Sequence, residues 1–245
     1  MNKMIGFDRK VQLAWLDAVV ALVQQRLTPD KVLEELRTKL ARDIEGMEAQ
    51  SKTMTVLLRI WVNVPPEHEM LRAEALDLME HIAPDARVIV HWGMALLAYP
   101  FFRDVAATMG TLGRLQDVFT MAQVQRRMVE GWGQRTTLER AVQRVVRTVY
   151  EWDELHNGLA PGAYRLAEAV RPENQALALW LLHAALVAHG SDVIPLQALV
   201  QLPYLFPFDL ASFLGEVRRS PRFAVTRQGL DLEMVAVGRG VGSAR

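Results

Sequence analysis

Apolar residues recur at the spacing of an α-helix through most of the chain, and this periodicity restricts the fold more than any other feature. The first amphipathic stretch covers residues 8–25. Thr28 and Pro29 then suit the N-cap and the first position of a second helix, and Gly46 is suited to end it. Further helices are predicted over residues 51–61, with Ser51 as the N-cap, 67–82 and 85–99. The pattern therefore predicts a mainly α fold that begins with a helical bundle.

The distribution of charge divides the chain into three regions. The 28 basic and 28 acidic side chains balance, which excludes a uniformly basic nucleic-acid-binding protein. Residues 1–102 carry 12 basic and 14 acidic side chains, whereas residues 103–171 carry 10 and 8. This change of sign lies just after Tyr99-Pro100. The sequence therefore predicts a helical bundle over residues 1–102, a second domain over 103–171 and a third over 172–245.

Several kinds of site are excluded or disfavoured by residue type. The chain has no cysteine, which removes disulfides, thiolate nucleophiles and iron–sulfur clusters, and its six histidines form no close ligand pair. We expect no catalytic residue, metal or cofactor, and hence no enzyme. The longest uncharged apolar stretch, residues 176–188, is shorter than the roughly 20 residues of a membrane span, so a cytoplasmic protein without membrane contact is expected. Lys52 and Thr53, with Arg59 two turns on, could hold an anion, although ordinary capping explains them as well.

The middle region contains the most informative order of elements. Thr136 and Glu139 have the Thr-x-x-Glu spacing of a capping box at the start of a helix. Asn157-Gly158 and Pro161-Gly162 are typical of a hairpin turn. The predicted elements are a helix over 103–115, a helix over 121–132 with Thr120 as its N-cap, a third helix that extends to about 152, and a hairpin over 155–166.

Helix, helix, tight turn, helix and hairpin follow one another in a way that resembles the winged helix-turn-helix superfamily. The resemblance covers residues 103–166 and rests on this order, on the sequence from Thr136 to Val142, and on the sequence from Gly162 to Leu166. It implies that the third helix enters the major groove of DNA and that the hairpin, or wing, touches the backbone. By position, residues 135–147 would then contact the groove and Arg165 the backbone. The long third helix and the proline inside the wing depart from the superfamily.

The third helix has two different faces. Its apolar stripe consists of Leu138, Ala141, Val142, Val145, Val149 and Trp152. On the opposite face, Arg140, Arg144 and Arg147 follow the i, i+4, i+7 spacing that places them on one side. Like charges at this spacing repel, and a DNA backbone opposite them would offset the repulsion. Over residues 114–149, seven arginines face only three acidic residues.

The C-terminal third has a similar order of predicted elements. Helices are predicted over residues 173–189, 193–202 and 210–218, followed by a hairpin between 222 and 237. Residues 218–227 contain four arginines and no acidic residue. Two interpretations stay open for this segment: a second phosphate-binding wing, or a hairpin that closes the core and exposes its arginines.

The sequence thus predicts a mainly α protein with one or two winged helix-turn-helix domains that binds double-stranded DNA, as a transcription regulator or as the accessory subunit of a larger complex. Other protein subunits or a second copy of the chain are further candidate partners. The alternative is a helical adaptor that uses the winged domains to dock proteins. The candidate DNA contacts are Gln123, Arg126, Arg127, Arg135, Thr136, Thr137, Arg140, Gln143, Arg144, Arg147, Arg165, Arg218, Arg219, Arg222 and Arg227.

Overall fold

The computed structural model describes residues 5–229 and 232–238, and it confirms a mainly α fold with two small antiparallel sheets. The remaining residues of the predicted N- and C-terminal domains lie outside the described part. The helices are α1 (Leu13–Gln24), α2 (Pro29–Leu40), α3 (Met47–Trp61), α4 (Glu69–His81), α5 (Arg87–Ala98), α6 (Pro100–Leu115), α7 (Met121–Trp132), α8 (Leu138–Glu151), α9 (Gln175–His189), α10 (Leu196–Leu199) and α11 (Leu214–Arg219). The strands are β1 (Phe119–Thr120), β2 (Leu155–Asn157), β3 (Ala163–Leu166), β4 (Ile194–Pro195), β5 (Phe223–Gln228) and β6 (Leu232–Val237).

Two predicted helix ends in the N-terminal bundle were wrong. Gly46 was expected to end α2, but α2 ends at Leu40, and Gly46 is instead the N-cap of α3 with a φ of 87°. Glycine adopts this backbone conformation without the steric cost that a side chain adds. Ser51, expected to cap α3, lies inside it. The four residues before Ser51 already lie in α3, which packs against α1 and α2.

The middle and C-terminal thirds have the same topology. In the middle third, α6 is followed by β1, α7, α8, β2 and β3, and the strands lie in the order β1-β3-β2. In the C-terminal third, α9 is followed by β4, α10, α11, β5 and β6, and the strands lie in the order β4-β6-β5. All pairings are antiparallel. We call these two parts the middle unit and the C-terminal unit. The two-residue strands β1 and β4 were not expected from the sequence.

Helix capping in the middle unit differs from the expectation. The capping box lies at the start of α7, where the Thr120 hydroxyl accepts from the Gln123 backbone N–H and the Gln123 side chain accepts from the Thr120 backbone N–H at 2.7 Å. At α8 the N-cap is Thr137 rather than Thr136, and no side chain caps the helix. Thr137 has helical backbone angles, which do not orient its hydroxyl towards the first turn.

One buried core joins the three predicted regions. The indole of Trp92, on α5, makes edge contacts with Trp152 of the middle unit and with Phe206 and Phe208 of the C-terminal third. Its Nε1 donates to the Tyr204 carbonyl at 2.9 Å. The boundary predicted between residues 102 and 103 falls inside α6. No helix of the described residues has the length and apolar character needed to cross a membrane.

Candidate nucleic-acid interface

The α8 helix is held by its apolar side and exposes its arginines. Its predicted apolar stripe is buried. Val146 and Thr148 are buried as well, so the exposed face of the helix is narrower than the sequence predicted. Arg140, Arg144 and Arg147 all lie on that face and are exposed. No carboxylate of the described residues lies within 4 Å of any of these three guanidinium groups. The sequence prediction of a shared arginine face on this helix agrees with the structure.

A segment without helix or strand lies along one edge of this face, and its residues from 8 on had been predicted to be helical. We call residues 5–11 the N-terminal segment. The Val11 backbone N–H donates to the Thr148 hydroxyl at 3.0 Å, and the Trp152 indole N–H donates to the Val11 carbonyl at 3.0 Å. Lys10 forms an ion pair with Glu151 at 3.0 Å. Glu151 therefore binds the N-terminal segment rather than Arg147, which lies four residues before it on the same helix.

A cleft of about 600 Å³ lies between the N-terminal segment, α3 and the first turns of α8. Four cationic side chains line it: Arg9, Lys52, Arg140 and Arg144. We call this the cation cleft. Asp8 is the one carboxylate among its lining residues, and it pairs with Arg9 at 3.4 Å. Cations therefore outnumber carboxylates among the lining residues, which favours an anion in the cleft.

Of the three residues suggested for an anion site, Lys52, Thr53 and Arg59, the structure brings only Lys52 to the cleft. Lys52 lines the cleft, where its hydrogen bond to Glu48 lowers the pKa of that carboxyl. Thr53 is buried in the bundle, and the Arg59 guanidinium lies over the Tyr99 ring, 5.0 Å from its centre. At the start of α8, Thr136 and Thr137 are exposed and also line the cleft.

A second, smaller cleft continues the surface towards the hairpin of β2 and β3. It has a volume of about 370 Å³, and Arg147 and Lys10 line it together with two tyrosines. Tyr150 and Tyr164 meet edge to face, with ring centres 6.3 Å apart, and Asn157 donates to the Tyr150 hydroxyl at 3.0 Å. Cations and aromatic rings therefore lie side by side next to the hairpin.

The other candidates of the middle unit are placed differently. Gln123 uses its side chain in the capping box of α7 and also accepts from Gln116 at 3.2 Å. Arg126 and Arg127 are exposed on α7, and Arg127 lines a groove of about 430 Å³ with Glu130. Gln143 is half-buried on α8. Two further candidates flank that helix in the sequence: Arg135, half-buried before it, and Arg165, exposed on β3.

The arginines of the C-terminal unit are engaged within the chain. Arg218 makes a two-pronged ion pair with Glu233, at 3.1 and 2.7 Å, which lowers the pKa of that carboxyl. Arg219 pairs with Glu216 at 3.3 Å. Arg222 pairs with Glu74 of α4. The fourth, Arg227, is exposed and lies directly across the hairpin from Glu233. Of the two interpretations left open, the ion pairs favour a hairpin that closes the core.

In comparisons with protein-family models, curated proteins and solved structures, the chain has no match. The described residues also contain no group of three or more histidine, aspartate or glutamate side chains placed to hold a metal ion. Function is therefore inferred from the geometry of the site itself.

Proposed function

We propose that this chain binds double-stranded DNA through the exposed face of α8, without catalysing a reaction. The observation that carries the proposal is the set of three arginines on one helix face, none of them neutralised by a carboxylate of the described residues. Each like-charge neighbour at i, i+4 costs a helix about 0.2 to 0.5 kcal/mol, which a phosphate opposite offsets.

The dimensions of the face suit a major groove. An α-helix with its side chains is about 10 to 12 Å across, and the major groove of B-form DNA is about 12 Å wide. Arginine forks can bind phosphates or the O6 and N7 atoms of guanine, and Thr136 and Thr137 can reach backbone or base edges. The order of elements from α6 to β3 is helix, short strand, helix, turn, helix and hairpin, and the three helices and the hairpin follow the order of the winged helix-turn-helix resemblance. Such binding suits a transcription regulator or a DNA-binding accessory subunit.

The test is a salt titration of the whole chain with duplex DNA, single-stranded DNA and RNA, read by fluorescence anisotropy. Three phosphate contacts predict that log affinity for duplex falls with log salt at a slope of about −2.7 or steeper. The Arg140→Ala, Arg144→Ala double variant should bind duplex about 100-fold more weakly at 0.1 M salt, with an unchanged circular dichroism spectrum. Equal duplex binding by the folded variant and the wild type would refute the proposal.

A second candidate function, protein docking, is favoured by apolar side chains at the hairpin end of the middle unit. Leu159, at the tip, is fully exposed, Leu115, at the end of α6, is 72% exposed, and Val118 is exposed beside Gly158. Contiguous apolar patches on a protein surface mark contacts with other proteins. An adaptor of this type would show no salt-dependent affinity for duplex DNA in the same titration.

A further inference from the structure

The cation cleft brings together charges from three parts of the chain that are distant in sequence. Arg9 comes from the N-terminal segment, Lys52 from α3, and Arg140 and Arg144 from α8. Arg9 and Lys52 each have one acidic neighbour, Asp8 and Glu48, whereas the two arginines of α8 have no ion pair among the described residues. Positive charge collected in one concave site and left in excess raises the local concentration of anions.

The donors in the cleft match a phosphate group. Guanidinium forks bind two phosphate oxygens at once, and an ammonium supplies a point charge beside them. Thr136 and Thr137 add hydroxyls at the rim. The two hydroxyls and the four cations therefore line the same cavity.

The wall opposite α8 is fixed in place rather than loosely attached. Phe7 is fully buried and meets the Tyr99 ring edge-on, with centres 5.3 Å apart. Gly6 has a φ of +63°, and a Cβ built there would lie 2.8 Å from the Tyr99 ring. The hydrogen bonds of Val11 hold the other end of the segment. Arg9 is thus carried by an anchored segment, which lowers the entropy lost when a ligand binds.

We infer that the cation cleft is a phosphate-binding site, in which Arg9 and Lys52 bind from one side the phosphate groups that Arg140 and Arg144 bind from the other. This inference deepens the proposed function, because a DNA backbone running past α8 supplies such phosphates. A free phosphorylated compound has the same chemistry and is the other source.

The experiment uses the Arg9→Gln, Lys52→Gln double variant of the whole chain, with inorganic triphosphate and a DNA duplex as separate probes. Calorimetry should show that the wild type binds one triphosphate and that the variant binds it at least tenfold more weakly. If DNA is the source, the variant also lowers the slope of log duplex affinity against log salt by up to about 1.8. An unchanged duplex slope together with the loss of triphosphate binding would identify a free phosphorylated compound as the source and support the site.

A matched control is Lys31→Gln, Lys39→Gln on α2. These lysines line a cleft of about 520 Å³ in which Glu34 and Glu35 balance the charge, so both probes should bind this variant as they bind the wild type. The inference would be overturned if the wild type did not bind triphosphate, or if the wild type and the Arg9, Lys52 variant bound it equally well. This holds for any result of the duplex titration. Failure of the proposed function is a separate result: triphosphate binds in the cleft, but the wild type has no salt-dependent affinity for duplex.

Discussion

The middle and C-terminal units have the same order of elements and the same strand pairing, yet they use their arginines in opposite ways. In the middle unit the arginines of α8 lie exposed without acidic partners among the described residues. In the C-terminal unit three of the four arginines are bound to Glu233, Glu216 and Glu74. The helices before the hairpins differ too, since α8 has 14 residues and α11 has six, about 21 and 9 Å in length. Topology alone therefore does not determine which unit can bind an anion.

The largest difference expected between the units is in their response to pH. Glu154, between α8 and β2, is 4% exposed, and burial, with the nearby Asp153, raises its pKa to about 8. The corresponding junction of the C-terminal unit, Ser220 and Pro221, contains no carboxylate. An unfolded chain loses this proton near pH 4.5, so the folded chain binds more protons between pH 4.5 and 8. Stability should fall as the pH rises through this range and level off above about pH 8.

Glu154→Gln should remove this fall. The variant should match the wild type near pH 4.5 and exceed its free energy of unfolding by about 2 to 4 kcal/mol at pH 8.5. Urea denaturation at several pH values measures the difference, with Glu168→Gln as the control that removes an exposed carboxylate which does not shift the pKa of Glu154. If the free energy of unfolding changed with pH in the same way for the wild type and Glu154→Gln, Glu154 would not be the source of the pH response.

A medium effect is expected from comparing one arginine of each unit. Arg222→Gln breaks the ion pair with Glu74, which links the hairpin of β5 to α4 and is partly buried at both ends. We expect it to lower the free energy of unfolding by about 1 kcal/mol. Arg144→Gln removes an exposed charge with no ion pair, and should leave stability unchanged or raise it by a few tenths of a kcal/mol. If urea denaturation showed that both variants lose the same free energy of unfolding, the ion-paired and the exposed arginine would contribute equally to stability.

The smallest effect is expected from the remaining arginines of the C-terminal unit. If Arg218, Arg219 and Arg227 all contacted phosphate, changing them to Gln would reduce the salt slope of duplex binding by about 2.7. Because two of them are ion-paired and the third lies across from Glu233, we expect a reduction below about one unit. If the salt slope fell by close to 2.7, the C-terminal unit would contact as many phosphates as the middle unit.

Local signals in the sequence predicted most of the helices, the Thr120 cap and both hairpins, because periodicity and turn residues act over a few positions. They placed the start of the first helix at residue 8, whereas α1 begins at Leu13. The arginine face of α8 was also predictable from the i, i+4, i+7 spacing. The cation cleft was not predictable, because the N-terminal segment is held near α8 by hydrogen bonds between residues that are far apart in the sequence. The sequence separation is 137 positions for one bond and 141 positions for the other. The ion pair of Arg222 with Glu74, 148 positions apart, was hidden for the same reason.

The position of Trp92 has a consequence for synthesis of the chain. Its Nε1 bonds to Tyr204, 112 residues later, and its ring packs on Phe206 and Phe208. A ribosome that adds about 5 to 20 residues per second leaves α5 without these neighbours for on the order of ten seconds. During that interval the nascent chain displays an open apolar surface around the indole, of the kind that chaperones bind. Nascent chains stalled before residue 204 should therefore depend on chaperones to stay in solution, however well their N-terminal helices have formed.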